Sequence, residues 1–158
     1  MPNLSRKTCS AAVVILCNKT GNLGAFTVCE KTDEYTASNY RGELLGGLIA
    51  THLLVMAAKY TNINPKDTQI YCDNMGVVHH GNNPHKSLPE KQPQADILLP
   101  FRHNLRSLTN GIQYRHVFGH SDSETEFSFL TIPEQLNIIA DKLAQECLLA
   151  RTHTGPYS

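Results

Sequence analysis

No acidic residue precedes Glu30, no CxxC pair occurs among five cysteines, and neither sign of charge is in excess. With 14 Lys+Arg against 14 Asp+Glu the formal charge is zero, which excludes the strongly basic class of nucleic-acid binder and leaves any basic surface to local clustering. The odd cysteine count (Cys9, Cys17, Cys29, Cys72, Cys147), mostly within apolar runs, argues against a disulfide framework. It predicts reduced thiols and an intracellular setting, cytoplasmic or nuclear, or the interior of a particle. His79, His80 and His85 share no metal-ligand spacing with these cysteines, so a zinc site is not expected. Ala11 to Cys17 follow Arg6 and Lys7 as a signal peptide's apolar region would, yet run into Asn18-Lys19-Thr20-Gly21 without a small-residue cleavage site. They read as a strand. No run approaches the ~20 apolar residues of a membrane span, and no membrane partner is expected.

At 158 residues the length fits one domain, residues 1–158, able to bury most of the apolar surface of a sizeable core. "CSAAVVIL", the turn "NKTGN" and "LGAFTVCE" predict a β-hairpin over residues 9 to 30. Ser38 precedes "NYRGELLGGLIATHLLVMAAKY", in which Glu43, Leu44, Gly47, Leu48 and Thr51 follow helical spacing, so a long helix capped by Ser38 is predicted. Its Gly42, Gly46 and Gly47 each weaken a helix by up to ~1 kcal/mol, which points to a close approach to the sheet. "TQIYCD" reads as the next strand, and the three prolines of "GNNPHKSLPEKQP" as a loop. "QADILLPFRHNLRSLTNG" follows as a helix containing Pro100, then "IQYRHVFGH" as a strand, a loop, and a last helix over "PEQLNIIADKLAQECLLA". Strands alternating with helices imply an α/β layer fold with some parallel pairing.

Three acids fall where they could converge. Glu43 lies near the start of the first long helix, Asp73 at the carboxyl end of a strand, and Asp141 inside the last helix. Open α/β sheets bind ligands in the crevice at the carboxyl ends of their strands, which suits Asp73. Gathered carboxylates repel one another unless a cation neutralises them, and hard divalent ions take such oxygen ligands alongside substrate phosphates. Taken singly, each has a plain alternative: Glu43 as a helix-dipole residue, Asp73 with Asn74 as a turn, and Asp141 beside Lys142 as part of a solvated helix face.

"SNYRGELLGGLIA", "IYCDN" and "RHVFGHSD…QLNIIADKLA" together resemble the ribonuclease H type 1 domain, in particular the version attached to retroelement reverse transcriptases. The resemblance runs from about residue 9 to residue 150. It implies a ribonuclease H-like three-layer α/β fold, a mixed five-stranded sheet with flanking helices. It also implies metal-dependent endonucleolytic cleavage of the RNA strand of RNA–DNA hybrids with two Mg²⁺ or Mn²⁺ ions, and a reverse transcriptase domain in cis as partner. Glu43, Asp73 and Asp141 match the family's metal-ligating acids, and His120 its auxiliary histidine, for which imidazole's unperturbed pKa near 6.5 is suited. Asn39 matches a minor-groove contact and Asn74 a position near a phosphate, each with capping or turn formation as its plain alternative, while Arg41 could pair with the nucleic-acid backbone or with an acid on another element.

The pattern departs from the family at its first, bridging carboxylate. By spacing the nearest match is "NLS", which puts Asn3 where the family has Asp; an amide's neutral oxygen holds a bridging metal poorly. Asp122 is a candidate replacement. The departure motivates an alternative function: a catalytically silent domain that binds nucleic acid or serves as a structural module of a retroelement polyprotein. Lys86, Lys91, Arg102 and Arg106 form a scattered basic set read as a solvated face. Recognition of a hybrid would rest on phosphates, groove width and 2′-hydroxyls, without sequence specificity and with steep salt dependence.

Overall fold

The computed structural model describes residues 6–33, 36–62, 64–108 and 112–153. In chain order the elements are β1 (Arg6–Leu16), β2 (Leu23–Asp33), α1 (Asn39–Tyr60), β3 (Gln69–Cys72), α2 (Met75–Asn82), α3 (Ala95–Ser107), β4 (Gln113–His116) and α4 (Ile132–His153). The chain divides into two compact units, one of Met1–Gly42 with Phe118–Ser158 and the other of Glu43–Val117. Among the described residues the strands form two pairs, one antiparallel and one parallel, where a single five-stranded sheet was expected. Residues 1–5 lie outside the described ones.

In the first unit β1 and β2 pair antiparallel from Arg6↔Asp33 to Leu16↔Leu23, as the turn chemistry predicts. Gly21 adopts φ +74, a conformation that glycine enters without a Cβ penalty, and its N–H closes the turn on the Cys17 carbonyl at 2.7 Å. Ser38 caps α1 as expected, its hydroxyl accepting the Arg41 N–H at 3.0 Å. A Cβ on Gly42 would stand 2.8 Å from the Ser10 carbonyl oxygen, so the close approach of this glycine to a strand is realised. Arg41 is buried, and its guanidinium grips Glu30 of β2 through Nε (3.1 Å) and Nη2 (2.7 Å), the paired geometry that suits a planar fork. α4 starts with a capping box. The Thr131 hydroxyl and N–H both donate to Glu134, and Glu134 N–H returns to the Thr131 hydroxyl, which holds the Glu134 carboxyl below the usual range. Farther along α4, the Ala144 carbonyl accepts from Ser10 of β1 at 2.8 Å.

In the second unit β3 and β4 run parallel, Gln69↔Gln113 to Cys72↔His116, with α2 and α3 forming the crossover. Helix α2 was not foreseen from the sequence. Asn74 caps it, its side-chain oxygen accepting from Val77 N–H at 3.1 Å. The Asn82 amide then takes the place of a strand partner, donating to the Tyr114 carbonyl and accepting its N–H, both at 2.9 Å. The core gathers Leu44, Val77, Leu98, Phe101 and Tyr114, with Phe101 edge-on to Tyr114 at 5.8 Å between ring centroids. Gly47 lets α1 meet Phe101, since a Cβ there would be 3.0 Å from the ring; this glycine serves helix packing, not the sheet. The buried Thr51 donates to the Gly47 carbonyl and accepts from Asn104 of α3, adding a polar tie to the same seam.

Two expectations need correction here. Helix α1 is long and apolar enough to cross a bilayer by length and composition alone, although no such run was expected; its Leu44, Leu45 and Thr51 are buried core residues. Arg102 is 3% exposed and so is no part of a solvated face: it donates to the carbonyls of Asn83 and Lys86, and Arg106 to that of Pro84 at 3.0 Å. The proline-containing loop is thereby tied to α3.

A Cβ at Gly81 would lie 2.4 Å from the Tyr114 ring, whereas one at Gly24 meets nothing within 4 Å. Gly81→Ala should therefore lower the unfolding free energy by about 1–3 kcal/mol through overpacking, and Gly24→Ala should change it by less than about 0.5 kcal/mol. Urea denaturation of the two variants beside the parent measures the contrast.

Candidate metal centre

The parallel ladder ends where Asp73 begins. Val117 N–H donates to the Cys72 carbonyl at 3.0 Å, and the His116 Nε2 lies 3.1 Å from the Asp73 carbonyl, so Asp73 leaves β3 with its backbone held from β4. One residue later Asn74 begins α2, its N–H reaching the Cys72 sulfur at 3.5 Å. Asp73 thus occupies a short, doubly anchored turn between a strand end and a helix start, the position that α/β sheets use for ligands.

Glu43 comes from α1. Its rotation about the helix axis is set by its buried neighbours Leu44, Leu45 and Gly47, which leave Glu43 partly buried toward the end of β3. The ligand atoms of Glu43, Cys72 and Asp73 all lie within 4.8 Å of one another. Carboxylates gathered this closely disfavour joint ionisation unless a cation neutralises them. A divalent cation supplies that neutralisation, and oxygen donors from two carboxylates fit a hard ion that keeps other positions for water and phosphate.

Cys72 is the member that sequence reasoning missed. Burial and then the Glu43 carboxylate push its thiol up to about 12, so it stays protonated at neutral pH and its S–H points at Glu43 Oε2, 3.6 Å away. As a neutral thiol it orients the carboxylate and is not the thiolate that a soft metal would select. The alternation of β3, in which Ile70 and Cys72 are less exposed than Gln69 and Tyr71, was the signal that could have found it. His116 was missed as well, because its role depends on strand pairing.

The structure brings Glu43 and Asp73 together. Asp141, partly buried on α4, belongs to the unit of Met1–Gly42 and Phe118–Ser158, as do His120 and Asp122. His120 is exposed and adopts φ 57, a left-handed conformation at the head of the single turn Ser121–Ser123, which contains the exposed Asp122. Asn39 is exposed as the first residue of α1. Arg41 takes the ion-pair alternative, its side chain 4% exposed against Glu30, and Asn74 takes the capping one. Asn3 lies outside the described residues.

No family model matches the sequence, and no curated protein does. Solved structures do. The RNase H domain of PFV, determined in solution, matches with a TM-score of 0.54 and 14% identity over 92% of this chain and 94% of that one. The protease–reverse transcriptase of Prototype Foamy Virus matches with a TM-score of 0.50 and 16% identity over 89% of this chain, which spans 20% of that longer protein. An N-terminal RNase H domain from Mycobacterium tuberculosis, fused to maltose-binding protein, has a TM-score of 0.49 and 18% identity over 94% of this chain and 97% of that one. At such identities the likeness concerns the fold.

If the Glu43 carboxylate helps keep Cys72 protonated, its removal favours the thiolate. Glu43→Gln should shift the midpoint of Cys72 alkylation against pH downward, read by peptide mass spectrometry; an unchanged midpoint would contradict the contact.

Proposed function

We propose, from the ribonuclease H-like fold as premise, that this chain is a metal-dependent endonuclease cutting the RNA strand of RNA–DNA hybrids. The observation that carries the reading is the convergence of Glu43 and Asp73 from separate elements at the carboxyl end of β3. These two residues would hold Mg²⁺ or Mn²⁺, with Asp141 as the third acid. Bound divalent ions supply an activated water and stabilise the leaving oxygen in phosphodiester cleavage.

The chain's own residues do the rest. Cys72 orients the Glu43 carboxylate by donating its S–H, and His116 holds the Asp73 backbone, before any ligand arrives. His120, exposed on its left-handed turn, is the auxiliary to product release. Asn39, exposed at the head of α1, contacts the minor groove. Arg41 serves that contact indirectly, anchoring the start of the helix through Glu30. A matching segment forms part of a protease–reverse transcriptase in Prototype Foamy Virus, which supports a reverse transcriptase domain in cis as the partner here.

A labelled hybrid incubated with the chain in Mg²⁺ or Mn²⁺ tests the reading. Asp73→Asn should slow cleavage by about 100-fold or more, the loss of roughly 2.7 kcal/mol of transition-state stabilisation. Equal rates for parent and variant would remove the proposal, and hybrid binding without cleavage by the parent would select the silent module.

A further inference from the structure

Two cysteines that play no part in the metal centre meet in the first unit. Cys29 on β2 and Cys147 on α4 are separated by 118 residues of sequence, yet their sulfur atoms lie 2.7 Å apart. A disulfide bond is ~2.05 Å long, so closing it requires a movement of less than ~1 Å.

The juxtaposition is fixed by packing and not by the sulfurs alone. Ser10 is the cross-strand partner of Cys29, and the Ser10 hydroxyl donates to the carbonyl of Ala144, one helical turn before Cys147. The same face of α4 is therefore pinned to the hairpin at adjacent points on both strands. Both thiols are partly exposed, so a small reagent can reach them. The remaining cysteines are placed differently: Cys9 is buried with its S–H toward the Ser38 carbonyl, Cys72 serves Glu43, and Cys17 is exposed at the hairpin turn.

We propose that Cys29 and Cys147 form a redox-active dithiol that exchanges with a low-molecular-weight disulfide such as oxidised glutathione, closing a bond between β2 and α4. In the first step one thiol, having lost its proton, attacks a sulfur of the reagent; a mixed disulfide forms and one glutathione thiolate leaves. In the second, the other cysteine, likewise deprotonated, attacks the protein sulfur of that mixed disulfide and expels the second glutathione. Two protein thiols are oxidised by two electrons, the reagent is reduced to two thiols, and the two protons end on glutathione. The closed bond ties the β-hairpin to the helix that carries Asp141, across a loop long enough for a large effect on the unfolded chain.

The full chain is equilibrated in glutathione buffers from reducing to oxidising, quenched by alkylation and mapped by non-reducing peptide mass spectrometry, with thermal unfolding measured in parallel. The expected result is one cross-linked pair of peptides carrying Cys29 and Cys147, with a rise in melting temperature of about 5–10 °C on oxidation. Cys17→Ser, which removes the exposed competing thiol, should keep both effects, whereas Cys147→Ser should lose both. The proposal is overturned if Cys29 and Cys147 remain equally alkylatable in every buffer. It is equally overturned if they accumulate as unresolved glutathione adducts, or if Cys29 is found linked to a different cysteine.

Discussion

Two carboxylates from separate elements, Glu43 and Asp73, are held with their oxygens within 4.8 Å, and much of the Glu43–Val117 unit can be understood as the structure that enforces this. Glu43 is oriented by the seam between α1 and α3, where Gly47 admits the Phe101 ring and Thr51 bonds Asn104. Asp73 is oriented by the end of the β3–β4 ladder and by the Asn74 cap of α2. Helix α2 is fixed in turn by Gly81 against Tyr114 and by the Asn82 amide.

The other unit is organised around the long hairpin. Arg41 and Glu30 join the first turn of α1 to β2, and Ser10 joins β1 to α4. The Arg41 guanidinium is buried while Glu30 is partly exposed, so removing Glu30 would take a partner from a buried charge, which makes the contact more than a surface decoration. Asp141 and His120 are presented from this framework, one on a helix and the other on a left-handed turn.

Much of this was legible in the sequence where the signal is local. The Ser38 cap, the 3.6-residue spacing of α1 and the "NKTGN" turn each specify their element through a few neighbouring residues, and Asp73 at a strand end follows from the apolar run before it. The rest depended on chain segments meeting. Helix α2 has only eight residues, too few for periodicity to separate it from a turn, and its capping asparagine fits both readings. The burial of Arg102 rests on a loop returning across α3, and the roles of Cys72, His116 and the Cys29–Cys147 pair rest on contacts that no local pattern encodes. The site was half legible for the same reason: each acid could be placed on its element, but Cys72, which contacts the Glu43 carboxylate, and His116, which contacts the Asp73 backbone, could not.

The central claim is that Glu43 and Asp73 form a cation site. Calorimetric titration of Mn²⁺ into the chain in complex with a non-cleavable hybrid, repeated with Asp73→Asn, tests it most directly. Saturable binding by the parent and an affinity at least about tenfold weaker in the variant, a difference of ~1.4 kcal/mol, are the predicted result. Equal affinity in the two proteins, or no saturable binding by the parent, would contradict the account.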